Sequence, residues 1–130
     1  MNKNCTVLIV DDDEFLRSVY TEQLSKGGVD VVSAANGLEA MEYVENQMPS
    51  IILLDVMMPK MNGFEFLEKL RGIDGGKDVE VVMLTNLGQE SDKLEAGRFG
   101  VTKYLVKTEV KIQDIIDIIH VCANETKENV

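Results

Sequence analysis

The sequence contains no tryptophan, a single histidine, two prolines and two cysteines among its 130 residues. Cys5 and Cys122 stand near opposite ends of the chain. They have neither the paired spacing of a zinc site nor the number needed for a disulfide framework, and His120 alone adds no second ligand set. This usage fits a reducing compartment, and the chain is expected to be cytoplasmic. No apolar run approaches the roughly 20 residues that span a bilayer, and residues 1–10 lack the apolar stretch and cleavage site of a secretory leader. No membrane partner is expected. Positive charge is also scarce: 13 Lys and Arg against 23 Asp and Glu leave a net charge of −10. A nucleic-acid backbone repels such a surface, so direct DNA or RNA binding is not expected.

What is present describes one globular domain. Hydrophobic residues make up 45% and charged residues 28%, enough apolar mass for a core of its own. Short apolar runs over 5–10, 29–34, 50–55, 79–84 and 101–106 predict five strands. Their continuity, most complete in Val7–Val10 and Ile51–Leu54, predicts burial on both faces, as in a parallel sheet. Segments of helical period alternate with them: Leu16, Val19, Tyr20 and Leu24; Leu38, Met41, Val44 and Met48; Phe64, Leu67 and Leu70; and, last, Ile112, Ile115, Ile116 and Ile119. The fourth helix, over roughly 88–98, is polar almost all round, with Leu87, Leu94 and Phe99 as its few apolar anchors. Ile118 and Val121 fall off the last stripe and read as its ragged edge; His120 reads as a helix-edge residue. Five strands alternating with five helices predict an α/β, flavodoxin-like (βα)5 doubly wound parallel sheet in the order 2-1-3-4-5. The domain is expected over 1–124, with 125–130 a polar, frayed C-terminal tail.

In such a sheet ligands gather at the carboxyl ends of the strands. The first run stops at Asp11-Asp12, the third at Asp55, the fourth at Thr85 and the fifth at Lys107. Three converging acids repel one another unless a hard cation lies between them, which predicts Mg²⁺ and, through it, phosphate chemistry. Asp55, neutralised by the metal, can attack phosphorus in line. Lys107 offers a point charge, and Thr85 a hydroxyl donor, to the same phosphoryl group. Each feature alone has a plainer reading: Asp11–Glu14 as an acid-rich helix start, Thr85 as a cap, Tyr104 as half-buried packing, and Met57, Met58 and Met61 as apolar filling.

Four motifs occur in order on this pattern: Val-Asp-Asp at 10–12, Leu-Asp-Val-Met-Met-Pro-Lys-Met-Asn-Gly at 54–63, Leu-Thr at 84–85 and Tyr-Leu-Val-Lys at 104–107. Together they make the chain, from Thr6 to Cys122, resemble the receiver domains of two-component response regulators, of the single-domain chemotaxis type. The resemblance implies that Asp55 accepts phosphate from a phosphohistidine of a histidine kinase or phosphotransfer protein. It implies that Asp11, Asp12, Asp55 and the backbone carbonyl of Met57 hold Mg²⁺. It also implies that Lys107, Thr85 and the backbone N–H of Asn86 stabilise the phosphoryl group. Thr85 and Tyr104 become a switch pair that remodels the face of the fourth helix, fifth strand and fifth helix for a downstream protein or a second copy of the chain. The chain is then a phosphoacceptor that catalyses its own phosphorylation and slow hydrolysis, not a turnover enzyme. No residues beyond the fifth helix suffice for an output domain, which implies a stand-alone regulator or a segment of a longer one.

The chain departs from that family in places. Thr108 follows the lysine where the family usually has proline, often with a cis bond. A cis non-proline bond costs about 2.5–4 kcal/mol, so a trans bond and an altered loop are expected. Asn86 follows Thr85 where a smaller residue is common. Met57 and Leu87 stand where the family places side chains beside the path of the hydrolytic water; neither can orient it, which predicts slow loss of the phosphate. The alternative is a pseudo-receiver, a docking module without a phosphate cycle, which weak Mg²⁺ binding would favour. A haloacid-dehalogenase-type phosphatase is disfavoured, because Asp11–Phe15 lacks the third element of that family's motif and no cap is present.

Overall fold

A computed structural model describes residues 5–101 and 103–128, with side chains to Asn124. Its strands are β1 (Thr6–Val10), β2 (Asp30–Ala34), β3 (Ile51–Leu54), β4 (Glu80–Thr85) and β5 (Lys103–Val106). They form one parallel sheet in the order β2-β1-β3-β4-β5, as expected from the alternation of periods. The helices are α1 (Glu14–Lys26), α2 (Gly37–Asn46), α3 (Gly63–Arg71), α4 (Glu90–Arg98) and α5 (Ile112–Glu128), with a 3-10 turn at Lys107–Glu109.

Alternation along each strand sends successive side chains to opposite faces. Leu8, Val10, Ile52, Leu54, Val81 and Met83 face α2, α3 and the single buried residue of α4, Ala96. Val7, Ile9, Ile51, Leu53, Val82 and Leu84 face α1 and α5. Both faces are covered, which is why the central strands are apolar without interruption.

Caps set three of the helix starts. Asp13 accepts from Leu16 N–H at α1, Asn36 from Glu39 N–H at α2, and Asn62 with Glu65 closes a capping box at α3. Gly63 is pressed against the strand end: an added Cβ would lie 2.5 Å from the Asp55 carbonyl oxygen. Gly27 is likewise packed against the His120 imidazole, which places that residue half-buried between α1 and α5.

The helical stripes were read less accurately than the strands. Leu38 is 51% exposed and Ile112 40% exposed. Both lie in the first turn of their helices; period alone does not show which turn is covered. Phe66, outside the expected stripe of α3, is fully buried. In α4 Leu94 is exposed and Ala96 is the buried anchor. Val101, assigned to the fifth strand, instead closes the end of α4 by donating to Ala96 O at 3.2 Å. The last helix runs to Glu128. Residues 129–130 lie outside the described residues.

Candidate phosphoacceptor site

Register brings the chemistry together. Val10 pairs with Leu54, so Asp11 and Asp55 each follow a strand end at the same level. Thr85 pairs with Val106, which places Lys107 one residue beyond the hydroxyl-bearing end of β4. Lys107 Nζ lies 2.9 Å from Asp11 Oδ2 and 3.0 Å from Asp55 Oδ2. Asp11 Oδ1 accepts from Asp13 N–H at 2.9 Å, and Asp55 Oδ1 from Met57 N–H at 3.2 Å. Asp11 and Asp55 are buried, Asp12 is exposed, and the three offer oxygens within 4.8 Å of one another.

The electrostatics favour a cation. Burial pushes the Asp11 carboxyl above its ordinary range, against the pull of the Asp13 N–H and of Lys107. Burial pulls Lys107 down, but its bonds to Asp11 and Asp55, and their charges, outweigh this and hold it above its ordinary value. Three carboxylates against one ammonium leave two negative charges uncompensated. An all-oxygen donor set with that residual charge fits a hard divalent cation such as Mg²⁺.

Thr85 is fully buried at the end of β4. Its Oγ1 accepts from Leu87 N–H at 3.4 Å, while the Tyr104 hydroxyl donates to Leu87 O at 2.7 Å. The backbone of one residue, Leu87, thus links the two residues expected to switch. Burial, with Asp92 and Asp55 nearby, pushes the Tyr104 hydroxyl up to about 12, so it remains a donor well above neutral pH. Asn86 is exposed, and Thr108 is exposed within the 3-10 turn. The described residues contain no cis peptide bond, in line with the trans bond expected before Thr108. Met57, Leu87, Met58, Pro59 and Phe64 line an apolar groove of about 500 Å³ that borders Asp12.

Two contributors were missed in the sequence. Arg17 donates to Asp11 O at 2.7 Å and fixes the turn that carries the acids; its partner is a backbone carbonyl, which side-chain pattern does not reveal. The Leu87 backbone, which carries no side-chain signature, is the other.

A family model described as response regulator receiver domain matches residues 7–120. Among curated relatives, a probable transcriptional regulator ycf27 of Guillardia theta is 38% identical over 101 residues, 78% of this chain and 39% of that protein. The DNA-binding dual master transcriptional regulator RpaA of Synechocystis is 36% identical over 78% of this chain and 42% of its own length. The chain therefore spans about two-fifths of these relatives. Among solved structures, chemotaxis protein CheY4 of Vibrio cholerae superposes with a TM-score of 0.84 at 30% identity, covering 92% of this chain and 99% of that one. A CheY-like receiver domain protein of Methanospirillum hungatei gives 0.87 at 26% identity, covering 98% and 100%. The chain belongs to the response regulator receiver domain family.

Proposed function

We propose that this receiver domain accepts a phosphoryl group on Asp55 from a phosphohistidine of a histidine kinase or phosphotransfer protein. The observation that carries the reading is the single lysine shared by two buried carboxylates beside a third. A carboxylate oxygen of Asp55 attacks phosphorus; the bond to the donor breaks and its electron pair leaves with the donor imidazole. Lys107, already at the Asp55 oxygen, follows the transferred charge onto the phosphoryl oxygens. Asp11, Asp12, Asp55 and the Met57 carbonyl would hold Mg²⁺, which when bound supplies positive charge against the developing negative charge. The Asn86 N–H adds a further donor.

Phosphoryl oxygens then accept from the Thr85 hydroxyl. Once Thr85 turns toward them, its Oγ1 is drawn away from Leu87 N–H, the Leu87 backbone loses one of its two tethers, and Tyr104 and α4 rearrange. The α4–β5–α5 face passes the signal to a downstream protein or to a second copy of the chain. A protein target suits the acidic surface better than nucleic acid does, and a cytoplasmic place suits such a relay. Neither Met57 nor Leu87 carries a side-chain group that can orient water, so the aspartyl phosphate is long-lived.

The test is intact mass after incubation with Mg²⁺ and acetyl phosphate. One phosphoryl group is expected, absent without metal and absent in Asp55→Asn. No adduct on the wild type, or an equal adduct on the variant, contradicts the assignment; the former leaves a docking module without a phosphate cycle.

A further inference from the structure

The two ends of α4 are held by unlike contacts. At its start, Gln89 provides no side-chain cap, and Glu90, Ser91, Lys93 and Leu94 are exposed. The preceding loop is tethered through the Leu87 backbone and its half-buried side chain, and one of the two backbone bonds, at 3.4 Å, is long. At its finish, Ala96 is buried, and Phe99, Gly100 and Val101 N–H groups return to Ala96 and Gly97 carbonyls. Gly100 takes φ +79, the left-handed conformation that ends helices and favours glycine.

A clamp reinforces this second end from outside the helix. Arg71, the last residue of α3, donates from Nε to Phe99 O at 2.7 Å. One of its terminal nitrogens reaches Gly76 O at 2.8 Å, Val79 O at 2.9 Å and Lys77 O at 3.3 Å. The rigid guanidinium fork can hold carbonyls of two chain segments at once, which an ammonium does not do in the same geometry. Removing it leaves half-buried carbonyls unpaired. The far side of the clamp is α3, three of whose side chains are fully buried.

We propose that Arg71 makes the C-terminal end of α4 a fixed pivot, about which the helix tilts when Asp55 is phosphorylated. The proposal rests on the phosphoacceptor reading and specifies how that site is read out. The bonds that phosphorylation disturbs, at Leu87, lie at the uncapped end of α4, and those at Phe99 are untouched. A nine-residue helix is about 13 Å long, so a tilt of about 10° displaces its free end by about 2 Å. The moving surface is then the N-terminal half of α4, while Arg98 stays in place.

Distances between spin labels test this. One label replaces the exposed Glu42 on α2; the second replaces Glu90 or Arg98. Cys5 and Cys122, each 3% exposed, are shielded from the label. Each pair is measured before and after acetyl phosphate with Mg²⁺, and the adduct is verified by mass. The 42–90 distance is expected to change by about 2 Å or more while 42–98 holds within about 1 Å. With adduct present, an equal change at both ends, or none at either, overturns the pivot. Arg71→Met retains an apolar stem but no donors, and it is expected to broaden the 42–98 distribution even without phosphate. An unchanged distribution also overturns the pivot. If no adduct forms, the phosphoacceptor reading fails, and the Arg71→Met distribution alone decides the pivot.

Discussion

Helices α3 and α4 have the same length, nine residues each, follow neighbouring strands and pack on the same face of the sheet. There the likeness ends. Helix α3 opens with a capping box, closes with Lys69 and Arg71 where the helix dipole favours cations, and fully buries Phe66, Leu67 and Leu70. Helix α4 opens without a side-chain cap, buries Ala96 alone, and leaves Leu94 65% exposed. Burying a large apolar side chain stabilises by about 1.5–3 kcal/mol, so three such residues against one alanine separate the helices by several kcal/mol of anchoring. The Gly63 start of α3 is pressed onto the Asp55 backbone. One helix thus holds the Asp55 backbone in place. The other is free enough for the loss of one or two hydrogen bonds to move it, since an element of low local stability shifts under a modest bias.

The largest effect expected from this contrast comes from truncation within the two helices. Phe66→Ala should cost about 3–5 kcal/mol by denaturant unfolding, whereas Leu94→Ala should stay within about 0.5 kcal/mol. Comparable losses would break the comparison.

Caps sharpen it at a smaller scale. Asn62→Ala should cost about 1 kcal/mol through the lost capping box. Gln89→Asp supplies the cap that α4 lacks and should slow amide exchange in its first turns, with a gain of at most about 1 kcal/mol. It should also reduce the response of α4 to phosphorylation. A cap that stabilises α3 and α4 alike without touching the response would count against α4 as the movable element.

An effect of similar size concerns the tether. Tyr104→Phe removes the bond to Leu87 O and should cost about 0.5–1.5 kcal/mol. The folded hydroxyl ionises near 12 and the unfolded one near 10. The unfolded chain therefore loses its proton first, and the wild-type advantage over the variant should hold below pH 10 and decline from there to about pH 12. An advantage that is flat across that window would show the hydroxyl to be unperturbed.

The contrast between the helices was only half visible in the sequence. The polar character of Gln89–Lys93 points to a weakly held α4, but Leu94 reads as an anchor in the sequence because a leucine in a helix is apolar whichever way it faces. The strands were far more legible. A continuous apolar run can be satisfied only between two covered faces, and its end falls where the acids begin, so Asp11, Asp55, Thr85 and Lys107 could be placed at one edge from spacing and strand order alone. Arg71 and Arg17 were not legible. Their partners are backbone carbonyls, Phe99, Gly76, Lys77 and Val79 for one and Asp11 for the other, and carbonyls leave no trace in side-chain pattern. Leu38 and Ile112 lie in the first turns of α2 and α5 and are exposed there, since a stripe does not reveal which of its turns is covered.

Residue-resolved amide exchange, with and without acetyl phosphate and Mg²⁺, tests the central claim most directly. The account predicts that amides of Phe66–Leu70 exchange only through global unfolding in both states. It predicts that Lys93 and Leu94 exchange through local opening and change their protection when Asp55 is phosphorylated. Equal protection of the two helices before phosphorylation, or an equal change in both after it, would contradict the division of the molecule into a fixed acceptor platform and a movable reporter helix.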